Sequence, residues 1–134
     1  MGGYGAMKAS LLYPERYGGC ICLSGAFDIA SFAPNVTLAE WKAIFGYDLE
    51  DFESLRTTDH DVYKLAADNK RAGKEFVKTY MWCGDDDFLL DNSVRFHALL
   101  SDLGISHKYV QSEGDHSWKW WDLHIRDVLS FFLD

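Results

Sequence analysis

No stretch of this sequence approaches the roughly 18 consecutive apolar residues that a membrane-spanning helix needs. Basic charge is also short: 13 Lys and Arg face 21 Asp and Glu, for a net charge of −8. That leaves no electrostatic footprint for nucleic acid or an anionic membrane. Cysteine is scarce and odd in number. Cys20 and Cys22 alternate on an apparent strand and Cys83 ends another, so the three read as buried, reduced thiols of a cytoplasmic-type protein. Zinc would want cysteines clustered more closely with histidine. A myristoylation signal fails at Ala6, where Ser or Thr is required. A dinucleotide fingerprint fails at Lys8, where a third glycine belongs, and lacks a strand before it. No metal and no organic cofactor are expected.

What is present is a packed domain. Of 134 residues, 48% are apolar and 16% aromatic, which supports a core and argues against disorder. The length suits one domain. Strands and helices alternate without repeats. A helix is expected over 6–13, ended by Pro14 and Gly18-Gly19, then a short apolar strand over 20–24 of the kind buried parallel sheets use. An irregular aromatic stretch from Phe27 to Phe52 holds a short helix at 38–45, and a further helix covers 62–68. A second strand spans 76–83. Asn92 is expected to cap a helix running to Leu103, with Val94, Leu99, Leu100 and Leu103 in the core and Gly104 as its stop. A third strand spans 106–111. The last helix, 117–133, places Trp118, Trp121, Ile125, Val128, Leu129 and Phe132 at helical spacing as a core-facing stripe. This alternation predicts an α/β fold with parallel strands and helices on both faces, about three strands in all.

Functional residues of such sheets lie just beyond the carboxyl ends of the strands. Two places satisfy that rule here. The second strand ends in Gly84-Asp85-Asp86-Asp87-Phe88-Leu89, and the third in Glu113-Gly114-Asp115-His116-Ser117-Trp118. An acid after one strand and a histidine after the next is the acid–base half of a serine triad in α/β-hydrolase chain order. An aspartate cluster alone is commonly a solvated turn, and a calcium loop is disfavoured because the ligand spacing breaks after Asp87. His116, at a strand-to-helix junction, stands apart from His60, His97, His107 and His124, which read as structural. Trp118, Trp120 and Trp121 either line an acyl pocket or pack the last helix.

Several segments, in order, resemble the esterase family of α/β-hydrolases that contains tributyrin esterases, S-formylglutathione hydrolases and feruloyl-type esterases. Met1-Gly2-Gly3-Tyr4-Gly5-Ala6 resembles the catalytic turn Gly-x-Ser-Met-Gly-Gly-Tyr-Gly-Ala just after its serine. Leu23-Ser24-Gly25-Ala26-Phe27 resembles the following strand, and Glu40-Trp41-Lys42 to Phe45-Gly46 an aromatic segment over the pocket. Cys83-Gly84-Asp85-Asp86-Asp87-Phe88-Leu89 resembles the acid loop, whose carboxylate lies three residues after the glycine. Gly114-Asp115-His116-Ser117-Trp118 resembles the histidine loop.

The resemblance therefore implies Asp87 as the triad acid, with Asp86 and then Asp85 as competitors, and His116 as the base. The backbone N–H of Met1 becomes one oxyanion-hole donor. It implies that residues 1–134 are the C-terminal portion of a single α/β-hydrolase domain, its earlier strands and nucleophile lying upstream of Met1, where any signal peptide would also lie. Ser24 lacks the glycine two positions before it, and the cysteines sit on strands, so no substitute nucleophile is expected and the chain alone should be inactive. The implied activity is hydrolysis of a small-molecule ester through an acyl-enzyme, on a small or medium acyl group such as an acetylated or feruloylated carbohydrate, or a thioester. Association with the N-terminal half, or a homo-oligomer, would cover the exposed sheet edge. Two other readings stay open: a catalytically dead short α/β protein acting by binding or assembly, and an unrelated flavodoxin-like domain in which Asp87 and His116 do not meet.

Overall fold

The computed structural model describes residues 1–32, 37–46 and 51–133. Three parallel strands, β1 (Gly19–Leu23), β2 (Lys78–Gly84) and β3 (Lys108–Ser112), form one sheet in the order β1-β2-β3. Leu23 pairs with Trp82 and Gly84 with Ser112, so all three carboxyl ends reach the same side. Helices α1 (Gly2–Leu12), α2 (Ile29–Phe32), α3 (Leu38–Phe45), α4 (Val62–Arg71), α5 (Leu90–Asp102) and α6 (Trp118–Leu133) fill the connections.

Strand alternation decides which helix covers which face. Cys20, Cys22 and Met81 point to one side and pack with Tyr4, Met7 and Leu11 of α1, Leu65 and Ala66 of α4, and Phe96 and Leu100 of α5. Ile21, Leu23, Tyr80, Trp82 and Val110 point to the other, where α6 lays down Trp121, Ile125, Val128 and Phe132. The sheet is thus covered on both faces, as the alternation predicted.

Helix α1 starts at Gly2, four residues earlier than expected, because Met1 acts as its N-cap residue and the Met1 carbonyl accepts from Gly5 N–H at 2.9 Å. The glycines there are a packing requirement: a Cβ on Gly3 would lie 2.9 Å from Gly25 Cα. Helix α5 also begins early, capped by Leu89, and Asn92 does not cap it. Asn92 Oδ1 instead accepts from Asp28 N–H at 2.9 Å. Gly104 ends this helix region with φ +65°, the left-handed turn that glycine adopts without strain. Val94, expected in the core, is 40% exposed, and the buried aromatic of the helix is Phe96, stacked on Phe27 at 4.6 Å. The stripe on α6 is narrower than expected. Val128 is fully buried, but Trp118 and Leu129 are 81% and 47% exposed. Trp118 occupies the first helical position.

The stretch 27–52 is better organised than the sequence implied, though 33–36 and 47–50 lie outside the described residues. Thr37 and Glu40 form a reciprocal capping box at the start of α3. Trp41 is buried and stacks on Phe45 at 5.0 Å.

Asp28 is a buried carboxylate with no local sequence signal to single it out. Its oxygens accept from Arg56 Nη1 at 3.0 Å and Arg95 Nη1 at 2.7 Å, while Ser31 donates at 2.8 Å. Burial alone would raise its pKa, but the hydrogen bonds from Arg95 and Ser31 and the charge of Arg56 outweigh that and hold it at about 2. Because the folded value lies below the ordinary one, the stabilisation is complete above the unfolded pKa and disappears as pH falls towards 2. Asp28→Asn is expected to cost about 1–2 kcal/mol at pH 7, discounted because both arginines are partly solvated. The deficit against wild type should narrow between pH 4 and about 2 in chemical denaturation. Phe96→Ala should cost about 3–5 kcal/mol and Val94→Ala under about 0.5 in the same assay.

Candidate active site

Strand β2 ends at Gly84 and the chain turns at once: Asp87 N–H donates to the Gly84 carbonyl at 3.2 Å, and Leu90 N–H to the Asp87 carbonyl at 2.9 Å. The loop after β3 runs alongside. Asp85 N–H donates to the Ser112 carbonyl at 2.8 Å and Asp86 N–H to the Gly114 carbonyl at 2.9 Å, which carries the parallel ladder past the ends of both strands. Side chains cannot fit between these backbones. A Cβ on Gly84 would collide with the Gly114 carbonyl, and one on Gly114 would sit 3.0 Å from the Trp82 ring, at a φ of +153°.

That contact brings the two sequence-predicted side chains together. His116 Nδ1 lies 3.1 Å from each carboxylate oxygen of Asp87. The Asp87 carboxylate is wholly buried and also accepts from Leu89 N–H at 2.8 Å. A neutral imidazole donating from Nδ1 keeps its lone pair on Nε2, the arrangement a general base requires. Asp86 and Asp85 point elsewhere: both are exposed, and Asp85 accepts from Gln111 Nε2 at 2.7 Å.

His116 opens onto a cleft of ≈ 350 Å³ lined by Met1, Gly2 and Gly3 at the start of α1, by Ile21, Leu23 and Ser24 at the end of β1, and by Trp118 and Trp121 of α6. The N-terminus of an 11-residue helix thus faces the same space as the imidazole, with the backbone of Met1 at its edge. Aromatic rings confine the imidazole. Phe88, 68% exposed, meets it at 4.6 Å between centroids, and Trp121 meets it edge-on at 4.9 Å.

Of the three late tryptophans, Trp118 and Trp121 line the cleft, while Trp120 packs beneath α6 against Trp82 and its neighbours. The segment from Trp41 to Phe45 was expected over the pocket. Trp41 and Phe45 pack instead into the core around α1 and α4, with Phe45 against His60, while Lys42, Ala43 and Ile44 are exposed. The remaining histidines serve the scaffold. His60 Nδ1 meets Lys8 Nζ at 2.7 Å, His97 Nδ1 meets His107 Nε2 at 2.7 Å, and His124 Nε2 meets Ser112 Oγ at 3.3 Å. The cysteines are buried and unpaired, and burial pushes the Cys83 thiol up to about 11. Among the described residues, no three His, Cys, Asp or Glu side chains converge as metal ligands, and no helix is long and apolar enough to cross a membrane.

One residue of the cleft was passed over in the sequence. Ser24 was dismissed because it lacks the flanking pattern of a nucleophile. It is nevertheless buried at φ +54°, a backbone region that serine rarely adopts. The signal available beforehand was its position, a polar residue at the carboxyl end of a buried strand.

A parallel sheet with helices on both faces, and a His–Asp pair at its carboxyl end, matches part of an α/β-hydrolase fold. The chain belongs to the esterase family, since the sequence model described as "Putative esterase" matches residues 1–132. It is 31% identical to an acetyl esterase of Caldicellulosiruptor saccharolyticus over 98% of this chain and 51% of that protein. Among solved structures it is similar to an S-formylglutathione hydrolase of Staphylococcus aureus, with a TM-score of 0.84 and 25% identity over 98% of this chain and 51% of the other. A fluorophosphonate-binding serine hydrolase of the same organism gives a TM-score of 0.85 at 25% identity, with the same coverage of 98% and 51%. The chain thus spans about half the length of the relatives it matches. The flavodoxin-like reading, which required Asp87 and His116 to stay apart, is set aside.

Gly84→Ala is expected to cost about 1–3 kcal/mol, because the backbones at Gly84 and Gly114 must separate. The same change should lengthen the Asp87–His116 hydrogen bond. Thermal denaturation and the NMR signal of the His116 Nδ1 proton check the two effects.

Proposed function

We propose that this chain supplies the general base and its orienting acid to a serine carboxylesterase that works through an acyl-enzyme. The observation that carries the proposal is the approach of His116 Nδ1 to both oxygens of the buried Asp87, with the imidazole opening on a cleft shared with the start of α1. In this reading the nucleophilic serine is the residue that precedes Met1 in a longer domain, of which residues 1–134 are the C-terminal portion. His116 Nε2 takes the serine proton as Oγ attacks the ester carbonyl. Asp87 holds the imidazole in the tautomer that leaves Nε2 free, then stabilises the imidazolium that forms. The Met1 backbone N–H donates to the oxyanion, at the first turn of a helix whose dipole favours negative charge. His116 returns its proton to the leaving alcohol, and water repeats the sequence to release the acid.

The acyl group in this reading is small or medium, and a relative named an acetyl esterase supports the small end. The competing reading, an inactive protein that acts by binding, keeps the same pair as a fossil of the site.

The coding sequence upstream of Met1 tests the proposal directly. An open frame ending in Gly-x-Ser immediately before Met1 is expected, and a stop codon there overturns it. In the full-length protein, His116→Ala should lower kcat on p-nitrophenyl acetate by about 10⁴–10⁶-fold. Asp87→Asn should lower it by about 10⁴-fold, with the fold intact by circular dichroism. Retention of activity within tenfold in His116→Ala would remove His116 from the mechanism. The 134-residue chain alone should hydrolyse no ester above background.

A further inference from the structure

We propose that Ser24 and Trp121 form a positioning pair that fixes the His116 imidazole, a role beyond the acid and base and one whose catalytic consequence rests on the esterase reading. Among the described residues, Ser24 is the one non-glycine with positive φ, at +54°. It is 2% exposed and follows the last residue of β1. Its N–H donates to the Trp82 carbonyl at 2.9 Å, one step past the β1–β2 ladder, so the neighbouring strand holds its backbone in place.

A glycine would meet that backbone requirement without strain. Serine adds an oxygen. Ser24 Oγ accepts from Trp121 Nε1–H at 3.0 Å, between residues 97 positions apart in the chain. That bond sets the rotation of the indole about its side-chain axis. The indole then meets the His116 ring at 88° with centroids 4.9 Å apart. Asp87 fixes one corner of the imidazole through Nδ1, but a single hydrogen-bonded atom leaves the ring free to swing about that contact. Phe88 on one side and Trp121 on another close the swing, and of these Trp121 is the one tied by a hydrogen bond to the sheet. The pair also joins the end of β1 to α6. Strained residues held by surrounding structure gather at functional sites, which accords with a serine kept at this position.

The test uses Ser24→Gly, Trp121→Phe and the double variant of the full-length protein. Ser24→Gly relieves the backbone and removes the hydroxyl that meets both Trp121 and Cys83, so its Tm should stay near that of wild type. Its kcat on p-nitrophenyl acetate should fall about tenfold with KM within about twofold, because displacing a base slows chemistry more than binding. Trp121→Phe keeps a ring but loses the donor, and should give a similar loss. The double variant should be no slower than the worse single one, since both break the same bond. In NMR spectra of the same proteins, the His116 Cε1–Hε1 signal should shift in both single variants. Wild-type kcat and an unmoved His116 signal in Ser24→Gly overturn the proposal, as does a loss of kcat that only tracks a fall in Tm. If the wild type hydrolyses no ester, the esterase reading fails separately. The His116 signal then decides the pair alone, a shift in both single variants upholding it and an unmoved signal overturning it.

Discussion

Between the ends of β2 and β3 the two backbones touch at Gly84 and Gly114, and the positions of Asp87 and His116 both follow from that contact. Parallel strands place their carboxyl ends on one side, but neighbouring strands alone leave the next loops free to diverge. Here the ladder continues through Asp85 N–H and Asp86 N–H to the opposite loop. It ends by directing Asp87 inward and Asp85 and Asp86 outward. Three consecutive carboxylates therefore have different fates, and only the third is buried. An unpaired carboxylate at that depth would be costly. His116 Nδ1 and Leu89 N–H supply the partners that make its burial tolerable.

The two sides of the sheet carry different loads. On the side of α1, α4 and α5, a conventional apolar core holds the helix whose N-terminus faces the cleft. On the other side, α6 alone covers Tyr80, Trp82 and Val110. The first turns of α6 combine both tasks. Trp120 packs the sheet, Trp121 reaches Ser24 and His116, and Trp118 stands at the cleft rim. An aromatic cluster that reads in sequence as surplus core is distributed by the helical rotation of 100° per residue between packing and the site.

Much of this was legible beforehand because it depends on local order. Short apolar runs marked the first two strands, and the rule about carboxyl ends pointed to the two loops without any structure. Asp87 against Asp85 and Asp86 was not decidable from spacing alone; resemblance to a family loop made that choice, and the inward turn of the ladder explains it. Helix starts were missed where the signal was non-local. Asn92 looks like a cap, yet its amide is engaged by the Asp28 backbone, 64 residues away. Phe96 shares the buried face with Ser93 and Leu100 at i, i+3, i+7 spacing, and Val94 lies off that face. Asp28, with its two arginines, was invisible for the same reason: its partners come from positions 56 and 95.

Ser24 shows the limit most clearly, and it also shows how the site is divided. Asp87, His116 and the Gly84–Gly114 contact all lie within residues 78–133, from β2 through α5 and β3 to α6. The helix N-terminus and Met1 belong to the preceding unit, built by residues 1–23. These two units meet in the cleft, and their hydrogen-bonded seam at the level of the imidazole runs through Ser24 N–H to Trp82 and Ser24 Oγ to Trp121. A residue at a seam between units carries little local sequence signal, because its neighbours in the chain do not determine its role. The backbone at φ +54° records what the sequence does not: the strand ends there, turns sharply, and is tied to both of the elements that hold the base. The relative placement of α1 and the His116 imidazole therefore depends on a few directed bonds at one serine as much as on the broad apolar core around it.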